Sequence, residues 1–404
     1  MPRLVVMTDR TPTDADDRDD AAPDEESTWL TIGRHSVKLV VLAVVIFLII
    51  HFAFPALAGV RKSLEVVKDA NVWWIGVAAL CSFLTQAMYI VVFRYSVGGT
   101  EGEVERKLGW RESYEVTMAS QAASTLVTAA GAGGIALFLW VLARAGFSKT
   151  ESVARTIAFL AFHYVIYLGA IVLFGFGLYF GILPGAAPVS LTLIPAIVCL
   201  GLLGIVTLAA YNPGVVERYV ERRSRGAGRE GRLAKRLVSV PTAFAAGIRH
   251  SRSLFRPGAH GPKIMVAAVL YWVFNIAILA ACFEAFGVHA NLAGLVQGFF
   301  IGSAANLLPL LPGGVGSVEA GLIGALLAFN QPGAQVVVAV LAYRLVGYWL
   351  PTLLQAVAYF QLNRTLGEWK EQQGEEAGAE PALLEAVDAA GAAGDSTLTT
   401  ESRA

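Results

Sequence analysis

Asn306-Leu307-Leu308-Pro309-Leu310-Leu311-Pro312-Gly313-Gly314-Val315-Gly316-Ser317-Val318-Glu319-Ala320 sits in the middle of an apolar region that runs from 291 to 329. That region is longer than the roughly 20 residues a membrane-spanning helix needs. Proline removes a backbone donor and clashes with the preceding turn, and glycine weakens a helix interior, so the helix must break here. Pro309 and Pro312 end a first half-helix, and Gly313, Gly314 and Gly316 supply the turn into a second. Broken backbone survives at membrane depth only where protein or a water-filled cavity satisfies it. The stretch therefore predicts a re-entrant helical hairpin.

A second broken region lies upstream. Residues 113–146 are apolar and interrupted by Ala130-Gly131-Ala132-Gly133-Gly134, which predicts a turn at Gly133 and Gly134. Gly133-Gly134-Ile135-Ala136 lies 180 residues before Gly313-Gly314-Val315-Gly316, and Phe162–Tyr167 lies 181 residues before Tyr343–Tyr348. Two matches at nearly one offset suggest a duplication, with halves at about 72–182 and 263–362. Chance similarity between apolar stretches is the competing account.

Six unbroken apolar segments read as full crossings: 37–57, 72–95, 153–182, 187–211, 263–286 and 334–362. Of the 404 residues, 55% are hydrophobic and 15% charged, and mean hydropathy is +0.58. A soluble domain carries about a quarter charged residues, so this balance excludes a soluble enzyme, a nucleic-acid binder and a disulfide scaffold. The expected fold is an all-α polytopic membrane protein with inverted repeats, two broken hairpins and about six crossings. Reading each broken region as ordinary spanning helices gives eight or more.

Net charge is zero, with 31 basic and 31 acidic residues, yet the charges are partitioned. Residues 1–33 and 366–404 carry nine acids each and are rich in Ala, Gly, Ser and Thr, a composition that predicts disordered tails. They flank a membrane domain at 34–365. Its loop at 212–262, with Lys263, holds twelve Lys and Arg against three acids, which places it in the cytoplasm. Connections at 181–188, 287–291 and 330–334 lack Lys and Arg and suit the outside. These assignments agree only if 113–146 enters and leaves on the cytoplasmic side and 291–329 on the outer side. Both termini are then cytoplasmic in a cell membrane. The acidic N-terminus is unlike a cleavable signal peptide. Cys81, Cys199 and Cys282 lie singly in apolar runs and the six histidines form no cluster, so no metal or cofactor is expected.

Charged residues in apolar runs are the candidate functional groups, because each costs at least about 2.5–3.5 kcal/mol at the helix centre. Glu319 and Arg344 are expected to pair near the second hairpin. There the guanidinium suits a phosphate, with Glu319 balancing it in the empty state. A purely structural salt bridge is the competing role. Asn306 would cap freed backbone or meet substrate. Gln121, Ser124, Thr125 and Thr128 recur at three- and four-residue spacing and form a polar stripe, suited to a polar path or to helix–helix hydrogen bonds. His163 occupies the position matching Arg344, as a buried neutral side chain or a pH-sensitive contact.

The Pro, Gly-Gly-x-Gly, Glu-Ala stretch followed by Arg344 resembles the lysylphosphatidylglycerol synthase transmembrane-region family, also described as a flippase-like domain. The resemblance covers roughly 37–362. It implies a role in moving an anionic or aminoacylated lipid, or a lipid-linked head group, between leaflets. Members that synthesise the lipid carry a soluble aminoacyltransferase domain. The acidic residues after Arg364 do not resemble one, so synthase activity is not expected. Inverted repeats with paired broken helices are themselves a transporter design. A membrane enzyme acting on a head group and a non-transporting scaffold are the other readings, and no catalytic motif supports the enzyme. Anionic membrane lipid is the expected partner.

Overall fold

The computed structural model of the chain describes residues 70–97, 108–126, 132–211, 244, 246–257, 260–307 and 314–369. The expected crossing at 37–57, Pro309, Pro312, Gly313, Thr128, most of the basic loop and nearly all of both tails lie outside those residues. All described residues fall within one compact unit, Ala56–Ala404.

Every regular element among the described residues is helical, as backbone polar groups in hydrocarbon require. In chain order they are α1 (Val72–Val97), α2 (Trp110–Leu126), α3 (Ala132–Arg144), α4 (Lys149–Tyr179), α5 (Leu193–Tyr211), α6 (Gly261–Ala285), α7 (Leu292–Ser303), α8 (Ser317–Ala328) and α9. A short helix at 246–253 precedes α6. Helix α9 begins as Gly333–Arg344, widens into a π turn at Leu345–Trp349 and continues to Trp369. Among the described residues four helices are long and apolar enough to cross a membrane: α1, α4, α6 and α9. The chain is an all-α polytopic membrane protein.

Helices α1 and α6 pack side by side and antiparallel. The Asn71 N–H at the start of α1 donates to Ala285 O at the end of α6, 2.8 Å away. At their other ends the Tyr95 and His260 rings are 4.7 Å apart. These are the helices that open the two expected halves, and they run in opposite directions.

The two broken regions form helical pairs whose bases lie at opposite ends of the bundle. Helix α2 starts beside the end of α1, with Trp110 and Tyr95 centroids 5.9 Å apart. After α3 the chain returns to that end, where Arg155 at the start of α4 donates to Val97 O. Helix α7 starts at the other end: the Asn291 N–H donates to Gln331 Oε1 at 3.2 Å, which ties its base to the end of α8. Arms of 12 residues in α7 and α8 reach about 18 Å, short of the roughly 30 Å hydrocarbon core.

Glycine explains how α7 and α8 pair. Gly294, Gly298 and Gly302 recur every four residues and share one face of α7. A β-carbon on them would meet Phe329, Leu326 and Leu322 respectively, a steady antiparallel register. At Gly302 it would stand 2.6 Å from Leu322 Cα, so the two backbones touch. Two apolar cores follow. One gathers Phe299, Phe300, Leu322 and Leu326 with Ile278 and Val340. The other gathers Val116, Phe138 and Leu142 with Phe93, Phe159, Leu362 and Trp369.

Three expectations change. Gly133 and Gly134 lie inside α3 rather than at the turn, and Gly134 serves close approach: a β-carbon there would stand 2.6 Å from Ser120 O of α2. The ordered chain also runs past 365, because Leu366 and Trp369 are apolar and buried on α9. The segment expected to cross at 187–211 is helical only from Leu193, after turns closed by the Thr192 and Leu191 N–H groups on Pro188 O.

Candidate functional site

Gly316 begins α8 with φ +83°, a left-handed conformation that glycine adopts without penalty. Three residues on, Glu319 turns back so that Oε2 accepts the Gly316 N–H at 2.7 Å and satisfies one donor of the helix start. Its other oxygen, Oε1, accepts from Arg344 Nε at 2.8 Å. The side chains are 17% and 7% exposed, so this is a buried ion pair across the second hairpin and α9. The guanidinium also lies 4.0 Å over the Tyr348 ring. Asn306, exposed on the short 3₁₀ turn Ala304–Leu307, comes back to the same break. A β-carbon on Gly314 (φ +64°) would stand 2.5 Å from its amide oxygen.

The π turn begins directly after Arg344. Such a turn inserts a residue into the helix and disrupts its regular hydrogen bonding, a device frequent at functional sites. Here Ser82 of α1 donates to Val346 O at 2.9 Å, so the widened turn is anchored by the first helix of the other half.

Gln121 enters a second polar cluster. Its Nε2 donates to Gln86 Oε1 of α1 at 2.9 Å, and its Oε1 accepts from Gln355 Nε2 of α9 at 3.4 Å. Gln355 Oε1 is buried without a partner among the described residues. Thr125 and Ser124 spend their hydroxyls on their own helix, donating to Ala122 O and Ser120 O. The expected stripe is therefore a glutamine ladder joining three helices, with its hydroxyls turned inward. Thr125 also lines an apolar cleft of about 740 Å³ between α2, α3 and α9.

His163 stands apart from both. Its Nδ1 lies 3.1 Å from Phe159 O, and since a carbonyl only accepts, that nitrogen carries the proton. Nε2 is buried and unpartnered among the described residues. Tyr89, Phe159 and Tyr271 surround the ring at 4.9–5.0 Å. Trp272 Nε1 of α6 donates to His163 O at 3.0 Å. The residue is a buried imidazole in an aromatic nest between α1, α4 and α6.

Sequence reasoning missed three partners. Gln86 and Gln355 complete the ladder, and Glu115 of α2 is 1% exposed. Its carboxylate accepts from Arg111 Nε at 2.9 Å and from Thr365 Oγ1 of α9 at 2.6 Å. Arg111 four residues earlier on the same helix was the available signal. Among the described residues no group of three or more His, Cys, Asp or Glu converges as metal ligands do.

Comparison with known proteins agrees with a membrane protein. Two curated proteins of Methanothermobacter thermautotrophicus, each described as a UPF0104 membrane protein, are similar to this chain. One is 22% identical over 336 residues, which cover 79% of this chain and 95% of that protein. The other is 30% identical over 94 residues, or 23% of this chain and 28% of that protein. No solved structure matches it. The family model described as the lysylphosphatidylglycerol synthase TM region matches residues 37–354, from the expected first crossing to the residue before Gln355, with both helical pairs and the Glu319–Arg344 pair inside it. The chain belongs to that family.

Proposed function

We propose that this protein moves a phospholipid, or a lipid-linked head group, with anionic or aminoacylated character between the two leaflets of the cell membrane. One observation carries this reading: two broken helical pairs enter the bundle from opposite ends, and the second holds a buried Arg344–Glu319 pair at its break. Antiparallel packing of α1 on α6 supports inverted repeats, whose substrate sites lie where the half-helices meet. In this reading Arg344 offers its planar fork to the lipid phosphate, and Glu319 holds it when no lipid is present.

Charge distribution supports the orientation. Arg111, Arg144, Lys149, Arg155, Arg252 and Lys263 all belong to the end that carries the base of α2 and α3. At the other end, residues 180–192, 285–292 and 328–334 contain no Lys or Arg. The base of the first hairpin then faces the cytoplasm.

The test is transfer of fluorescent phosphatidylglycerol, and of an aminoacylated analogue, across proteoliposomes. Arg344→Lys keeps the charge but loses the fork. It is expected to cut the rate at least tenfold with unchanged assembly and thermal stability. Full transfer by Arg344→Lys and by Glu319→Asp would leave the pair a purely structural role.

A further inference from the structure

The cleft between α2, α3 and α9 begins on α9 at Thr352, about 12 Å along the helix from Arg344, and has a chemistry of its own. Its lining includes Thr125, Ala136, Trp140, Thr352, Tyr359 and Asn363. The two threonines look polar but are spent: Thr125 Oγ1 donates to Ala122 O at 2.6 Å and Thr352 Oγ1 to Tyr348 O at 2.7 Å. What they present to the cleft is methyl surface, so the walls offer a head group little to bind. About 740 Å³ falls in the size range of ligand pockets.

Length and direction narrow the occupant. From Thr352 to Asn363 the α9 wall spans eleven residue steps, about 16 Å at 1.5 Å each. Half of a roughly 30 Å hydrocarbon core is about 15 Å. One end lies at the tips of α2 and α3, by Thr125 and Gly133. The other end carries groups suited to a membrane–water interface: Trp140, which is 44% exposed, Asn363, and the Arg144 guanidinium 4.9 Å over the Trp140 ring. That end is the basic one. A cation at the mouth of an apolar channel one leaflet deep complements a lipid whose phosphate stays at the surface while its tail enters.

We infer that this cleft holds one acyl chain of an anionic phospholipid from the leaflet at the base of the first hairpin. It is thus a tail site separate from the head-group site. The inference rests on the lipid-handling reading for its purpose, and its test is independent of transport.

Purified full-length protein is reconstituted in vesicles of three parts phosphatidylcholine to one part phosphatidylglycerol. A trace of phosphatidylglycerol carries a diazirine midway along one acyl chain. After photolysis, adducts are expected on the 122–140 and 352–363 peptides at least fivefold above those carrying the bare outward residues Leu200 and Val273. Ala136→Trp and Ala356→Trp, each filling the cleft from one wall, are expected to lower that labelling at least fivefold while thermal stability holds. Retained labelling in both variants overturns the inference. So does even labelling over all lipid-facing helices, even if transfer across the bilayer is intact. Labelling by a free diazirine fatty acid but not by the phospholipid also overturns it. High-yield cross-linking of Ala356→Cys to a cysteine placed at Val44 would overturn it as well, since the segment 37–57 would then be the occupant. Loss of transfer in Arg344→Lys with cleft labelling unchanged supports the separation of the two sites.

Discussion

Glu319 does two jobs with its two oxygens, and a substitution separates them. Glu319→Gln keeps an acceptor for the Gly316 N–H but removes the charge opposite Arg344. Breaking a buried pair from one side costs about 3–5 kcal/mol, because the remaining charge is left uncompensated. Thermal unfolding in detergent is expected to show Glu319→Gln well below wild type, and the double variant Glu319→Gln, Arg344→Met recovering most of the loss. That pairing was legible in sequence because two charges in apolar runs must find each other. The glutamine ladder was not: Gln86 and Gln355 are single polar residues, 35 and 234 positions from Gln121, and nothing local marks them as partners. Nor did the polar stripe reveal that its hydroxyls fold back onto their own helix, since i−3 and i−4 carbonyls compete with any ligand.

Among the elements, apolar run length set most helix limits within a few residues, because a helix buried in hydrocarbon ends where its apolar run does. Run length says nothing of what happens inside a helix. The π turn after Arg344 follows from an unbroken apolar pattern that would equally suit a regular helix, and it is held by one hydroxyl from α1. Ser82→Ala removes that donor and is expected to cost about 1 kcal/mol, read as a lower melting temperature. The α7–α8 pair is tighter. Gly302→Val drives a side chain into the α8 backbone, and overpacking of this kind costs about 1–3 kcal/mol or more. Gly76→Ala on α1 is the contrast: its surroundings are open, and replacing a helical glycine stabilises by about 0.4–1 kcal/mol. Denaturation of the two variants side by side is expected to move in opposite directions. For the same reason Gly134 misled sequence reading. A glycine required by a neighbouring backbone and a glycine required by a turn look alike in one dimension.

For the molecule as a whole, the arrangement of the two hairpins places Lys149 and His289 at opposite ends of the bundle, which the proposed orientation puts on opposite sides of the membrane. Lys149 lies at the base of the first hairpin, and His289 beside the base of the second. In intact cells an impermeant thiol reagent is expected to label His289→Cys directly and Lys149→Cys only after permeabilisation. Labelling of both from one side would remove the opposed entry on which the transport reading stands. The global charge asymmetry needed only the loop composition, whereas the antiparallel contact of α1 with α6 needed coordinates, because distant apolar helices carry no address for one another.

Helix α9 is hydrogen-bonded to both hairpins: by Glu319 of the second through Arg344, and by Gln121 and Glu115 of the first through Gln355 and Thr365. A rod fastened at three heights cannot slide or rotate at one fastening alone. Any axial slip that loosens the grip on Arg344 is felt some 30 Å away at Thr365, at about 1.5 Å per residue. In the transport proposed here, opening on one face of the membrane and closing on the other would then be geared to this one helix.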